Sequence, residues 1–154
     1  MPHIHEKVDF TVSALIVHKN TVLLRKHDKY EIWYGPGGHI ELGEDPNEAV
    51  IREAKEEVGL DIKLAGDSFS FNEPSGEKSL IPPRFLNRHY ITDVHEHVDM
   101  VYFATADTDS IIQNEKEVSE SIHWFTKEDL ENRKFGIGER ICHYASEALK
   151  ELRS

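Results

Sequence analysis

The chain is 154 residues long, enough for one domain whose core needs neither disulfides nor a structural metal to fold. Hydrophobic residues make up 38% and charged residues 31%, and apolar runs such as Ala14-Leu15-Ile16-Val17 fall far short of the roughly 18 residues of a membrane-spanning helix. The 29 acidic against 18 basic residues give a net charge of -11, which disfavours nonspecific binding to nucleic acid but still admits a phosphorylated substrate neutralised by divalent cations.

In chain order, residues 8–17 are β-branched and apolar, Lys19-Asn20 reads as a turn, and residues 21–26 return as a second strand. Trp33 and Tyr34 lead into Gly35-Pro36-Gly37-Gly38, a stretch expected to be irregular. A helix is predicted over residues 47–58. Asp45 is its N-cap, Pro46 its first-turn proline, Glu48 the partner in a capping box, and Gly59 its stop. Residues 60–64 read as a strand and 65–89 as a long loop with short strands. Residues 97–106 and 121–125 are strands. Thr126 caps a short helix over 127–132, and a last helix after Gly138 aligns Ile141, Tyr144, Ala145, Ala148, Leu149 and Leu152 on one stripe. Cys142 lies off that stripe. It is the only cysteine, so an intrachain disulfide and a Cys-rich zinc site are excluded. With no leader pattern in residues 1–6, the expected compartment is the cytoplasm. Strands with one strong central helix and one terminal helix make a single mixed α/β domain over 1–154.

On the predicted helix, Asn47, Val50, Ile51, Ala54 and Val58 share an arc expected to pack on the sheet, and Glu53, Glu56 and Glu57 share a neighbouring arc. Clustered carboxylates repel one another. A hard divalent cation turns that repulsion into coordination.

Residues 38–60, GHIELGEDPNEAVIREAKEEVGL, resemble the Nudix box, with Gly38, Glu44, Arg52, Glu53, Glu56, Glu57 and Gly59 at its fixed positions. Average composition, with glutamate doubled for this chain's high Glu content, produces such a match in roughly one chain in 10⁵. Ala54 departs from the branched aliphatic usual there, which implies slightly looser packing. The Trp33 to Gly38 stretch and Trp124-Phe125-Thr126-Lys127-Glu128-Asp129-Leu130 extend the resemblance over roughly Val8 to Leu130. It implies an α/β/α sandwich around a mixed β-sheet and Mg²⁺- or Mn²⁺-dependent hydrolysis of a nucleoside diphosphate linked to another moiety. The nucleotide sugar, ADP-ribose and nucleoside triphosphate types all belong to that class.

By matching position, the resemblance makes Glu56 and Glu57 the main metal ligands and Glu53 a further ligand or the base that deprotonates water. The carbonyl of Gly38 completes the metal site, and Arg52 and Glu44 orient the carboxylates. An acid outside the box is also expected, with Glu117 favoured over Glu115 and Glu120. Arg25, Arg84 and His39 are candidate contacts to substrate, alongside Lys26 and Arg88. The resemblance is compatible with a homodimer and involves no membrane. The rival reading is a module of the same fold that binds a nucleotide or a protein without hydrolysing it, although all the glutamates are retained.

Other motifs fail. Gly38 to Gly43 has the glycine spacing of a P-loop, but Glu44 stands where Lys is required and would repel phosphate. Gly35-x-Gly37-Gly38 lacks the third glycine of a dinucleotide fingerprint. His89, His95 and His97 complete no regular zinc spacing and read as surface or core histidines. Tyr30, Trp33, Tyr34, Phe69, Phe71 and Phe85 read as core or base-stacking aromatics.

Overall fold

The computed structural model describes residues 7–27, 31–69, 71, 74, 76–113 and 121–152. β1 (Val8–His18) and β2 (Thr21–Lys26) form a hairpin, with Lys19 and Asn20 at positive φ in its turn. β3 (Trp33–Tyr34) and β4 (Gly37–His39) follow, then α1 (Pro46–Val58) and β5 (Ile62–Leu64). β6 (Phe85–Tyr90) and β7 (Glu96–Ala106) form a second hairpin, and β8 (Ile122–Phe125), α2 (Lys127–Glu131) and α3 (Glu139–Glu151) complete the order.

The strands form one mixed sheet. Its axis is the parallel pair β1 and β7, in register from Val8 opposite Glu96 to Val17 opposite Thr105. β1 pairs antiparallel with β4 through residues 11–13 and with β2 through residues 16–18. β7 pairs antiparallel with β5 and β6, and β8 extends the sheet from β2.

Alternation along β1 and β7 divides the core in two. Val12, Ala14, Ile16, Tyr102 and Ala104 face α1 through Val50, Ala54 and Val58. Leu15, Val17, Val101, Phe103 and Phe125 face α3 through Tyr144, Ala145 and Ala148. The expected α/β architecture is therefore present, with helices on both faces of a mixed sheet. Among the described residues, no helix is long and apolar enough to cross a membrane.

Three local expectations change. The glycine stretch is not wholly irregular, because residues 37–39 pair with β1 and the neighbouring strand supplies an order that glycines do not encode alone. The buried arc of α1 is rotated from the predicted one: Ala49, Glu53 and Glu57 are buried, whereas Ile51 is 43% exposed. At 100° per residue Ile51 falls at the outer edge of that arc, and the helix is rolled so that Glu53 and Glu57 meet the glycine strand. Cys142 packs partly against the α3-side core, with its Sγ donating to the carbonyl of Leu130 at 3.4 Å.

Candidate active site

Local chemistry sets the position of α1. The Asp45 side chain accepts from the Glu48 N–H, the Glu48 carboxylate accepts from the Asp45 N–H, and Gly59 closes the helix in the left-handed conformation. Asn47 holds the following loop against the helix, donating to the Ile81 carbonyl and accepting from its N–H, both at 2.9 Å.

With the helix so placed, Glu53 and Glu57 run along β4. Glu53 is 3% exposed and Glu57 8%. Oε2 of Glu57 accepts from the Gly37 N–H at 3.1 Å and lies 3.2 Å from the buried guanidinium of Arg25 on β2. A Cβ on Gly38 would stand 2.5 Å from Oε1 of Glu53, so only glycine leaves room for that carboxylate. At Gly37 the obstacle to a Cβ is the carbonyl of Val12. The two glycines thus serve different neighbours: Gly37 admits the strand pairing and Gly38 admits the acid.

Arg52 organises the remaining acids. Its Nε and Nη2 donate to the two oxygens of Glu44 at 2.7 and 2.9 Å, the bidentate geometry a guanidinium permits and an ammonium does not. Nη1 reaches Glu53 at 3.0 Å and the half-exposed Glu56 at 3.1 Å, and Nη2 also donates to the His39 carbonyl at 3.1 Å. The hydrogen bond from Arg52 lowers the Glu44 pKa below its usual 4.5. The same bonds, by holding the charged guanidinium, raise that of Arg52.

Thus Gly38, Glu44, Arg52, Glu53, Glu56 and Glu57 converge at one edge of α1. Arg25 is also there, buried beneath Glu57. Arg84 is elsewhere: its Nε donates to Glu151 of α3 at 2.7 Å and its guanidinium lies 4.8 Å from the Phe85 ring centre, on the opposite side of the sheet. Arg88 is paired with Glu96. Trp33 packs edge-on against Phe125 and donates to the Phe135 carbonyl, and Phe85 stacks on Tyr144. Glu115, Glu117, Glu120 and Tyr30 lie outside the described residues.

A NUDIX domain model matches residues 8–142. The chain belongs to the NUDIX family. Among solved structures, a NUDIX family hydrolase from Clostridium perfringens is 40% identical with a TM-score of 0.83, and the match covers 93% of this chain and 97% of that one. The m7GpppN-mRNA hydrolase NUDT17 of Xenopus laevis is 34% identical over 90 residues, 54% of this chain and 30% of that protein. A DHNTP pyrophosphohydrolase assignment from Lactococcus lactis is 27% identical over 106 residues, 64% of this chain and 55% of its own. The chain thus spans about half or less of the length of these curated NUDIX relatives.

Sequence spacing groups His89, His95 and His97 without a regular zinc pattern, and it misses Asp9 and His39. His39 on β4, His95 before β7 and His97 within β7 surround Asp9 of β1 on the α3 side of the sheet, and His89 of β6 lies alongside His97. Strand register supplies the missing signal: Asp9 and His89 are the cross-strand partners of His97 on either side.

Proposed function

We propose that this NUDIX protein is a Mg²⁺-dependent pyrophosphohydrolase that cleaves a phosphoanhydride bond in a nucleoside diphosphate linked to a further moiety. The observation that carries this reading is the burial of two carboxylates, Glu53 and Glu57, against Gly37 and Gly38, with Glu56 and Arg52 beside them. Two relatives bear names for hydrolysis of m7GpppN-mRNA and for a DHNTP pyrophosphohydrolase. Pyrophosphate-bond hydrolysis is the chemistry carried over from them.

NUDIX hydrolases generally use divalent metals, and the donor set here fits a hard cation because it consists of oxygen atoms. Glu53, Glu56, Glu57 and the carbonyl of Gly38 are the residues that would hold it. The chemistry such a cation supplies is charge stabilisation at the phosphoryl oxygens and acidification of water. Arg52 keeps Glu44, Glu53 and Glu56 in one arrangement, and Arg25 with the Gly37 N–H does the same for Glu57. Glu53, the most buried of the four acids on α1, serves as a further ligand or as the acceptor of the water proton.

The test is release of phosphate, pyrophosphate or nucleoside monophosphate from a panel of nucleotide sugars, ADP-ribose, dinucleoside polyphosphates and nucleoside triphosphates with Mg²⁺. Turnover by the wild type should fall at least about a hundredfold in Glu57→Gln. Equal turnover by both proteins on every substrate overturns the proposal. Stable ligand binding without turnover assigns the fold to a binding module instead.

A further inference from the structure

Burial draws attention to the α3-side face of the strands. Asp9 is 1% exposed and His95 5%. Oδ2 of Asp9 lies 3.1 Å from Nε2 of His39 and 3.3 Å from Nε2 of His95. The His97 ring stands edge-on to those of His39 and His95, with centroids 5.0 and 5.3 Å away. Donor atoms of Asp9, His95 and His97 all lie within 4.8 Å of one another.

We propose that Asp9, His39, His95 and His97 form a binding site for a zinc-class divalent ion, separate from the carboxylates on α1. A tetrahedral zinc with bonds of about 2.0–2.1 Å sets its ligand atoms about 3.3 Å apart. The Asp9–His39 and Asp9–His95 separations already have that length. The widest spacing in the Asp9, His95 and His97 group needs to close by at most about 1.5 Å, a movement within reach of ring rotation.

The four donors come from three pieces of chain held by the sheet: β1, β4 and the start of β7 with the residue before it. Asp9 and His97 are cross-strand partners, and His39 follows Gly38 on β4, opposite Thr11. The carbonyl of His95 accepts from the N–H groups of both Ile91 and Thr92, fixing the hairpin that presents its ring. A cavity of about 440 Å³ reaches Asp9 and His39 and is also lined by Phe10, Ile40 and Met100.

Donor chemistry chooses the ion. Three imidazoles and one carboxylate suit zinc and its first-row neighbours, whereas Mg²⁺ prefers oxygen ligands and retained water. The rival arrangement is a hydrogen-bonded Asp9–imidazole network without an ion.

The experiment is calorimetric titration of the metal-stripped protein with Zn²⁺ in excess Mg²⁺, together with the visible absorption spectrum of the Co²⁺ form. Wild type and Glu57→Gln should each bind one equivalent and give the intense bands of a tetrahedral N/O site. His97→Asn and His95→Gln should each weaken binding at least about tenfold, with metal-free circular dichroism reporting whether each variant is folded. Absence of binding by the wild type, its loss in Glu57→Gln, or unchanged affinity in both folded histidine variants overturns the proposal. A weak octahedral Co²⁺ spectrum in the wild type overturns it as well and does not depend on any variant.

Discussion

Arg52→Lys isolates geometry from charge, because the cation stays while the planar fork is removed. Arg52 donates to both oxygens of Glu44, to Glu53, to Glu56 and to the His39 carbonyl. A lysine ammonium placed at one point serves Glu44 or Glu53 but not both with the same alignment, so about two charge-assisted bonds are lost. At about 1.5–3 kcal/mol each, the upper bound is about 3–6 kcal/mol. Arg52 and Glu44 are partly open to solvent, and screening brings the expected loss down to about 2 kcal/mol. For a chain of this size that is a fall in Tm of about 4–8 °C.

If Arg52 also positions the cation-holding acids, half-saturation by Mg²⁺ in the hydrolysis assay should rise about 10- to 100-fold, as for groups that orient metal ligands. Differential scanning calorimetry and a Mg²⁺ titration of turnover measure the two effects. A variant with wild-type Tm and wild-type Mg²⁺ dependence would refute the argument, since it would show that charge alone suffices.

The neighbouring positions make further distinctions. Gly38→Ala forces the tip of Glu53 to move and should reduce turnover strongly at a stability loss of about 1 kcal/mol. Gly37→Ala meets the backbone of Val12 and should reach the upper end of the about 1–3 kcal/mol range for overpacking; thermal unfolding with a turnover assay orders the pair. For pH, the Glu44 carboxyl is lowered from 4.5 by its hydrogen bond from Arg52, so the unfolded chain binds that proton more readily than the folded one. The stabilisation is therefore complete above about pH 5 and lost as pH falls through the lowered value. The Tm difference between wild type and Glu44→Gln should be flat above pH 5 and shrink below 4.5; a gap that widened on acidification would reverse the assigned sign.

What the sequence made legible was governed by short-range chemistry. The cap, capping box and terminating glycine of α1 lie within fifteen residues, and each operates as read. β2 has the predicted limits because the turn before it and the apolar run within it are both local. The box residues meet because one helix, the strand before it and the short loop joining them carry the set. Arg25 beneath Glu57 was not legible as a holder of that acid, because the contact joins β2 to α1 and depends on how the helix is rolled. The same roll exposes Ile51, which hydropathy alone assigns to the core.

The imidazole cluster was illegible for a related reason: its members are spaced irregularly along the chain and meet only once β1, β4, β6 and β7 are in register. A partial signal was present in β1, where Asp9, Thr11 and Ser13 occupy alternate positions and so predict a polar stripe along half of one strand face. Asp99, the partner of Thr11, accepts from both hydroxyls at 2.8 Å, which continues the stripe onto β7.

The two polar clusters sit on opposite faces of the sheet, and β4 is where they approach. Gly38 leaves room for Glu53 and the Gly37 N–H donates to Glu57, while the next residue, His39, turns its ring toward Asp9 and gives its carbonyl to Arg52. Alternation of side chains along a strand allows consecutive residues to serve different faces. The electrostatics of the faces differ accordingly. Among the ion pairs at α1, five carboxylates (Glu41, Glu44, Glu53, Glu56 and Glu57) meet two guanidiniums, Arg25 and Arg52. That excess of negative charge repels a phosphate chain unless a cation intervenes. Across the sheet, three imidazoles surround one carboxylate, a set without that excess and softer in its donors. One sheet therefore carries oxygen donors on the face of the proposed Mg²⁺ site and imidazoles on the other, and the pairing of β4 with β1 keeps the two clusters distinct.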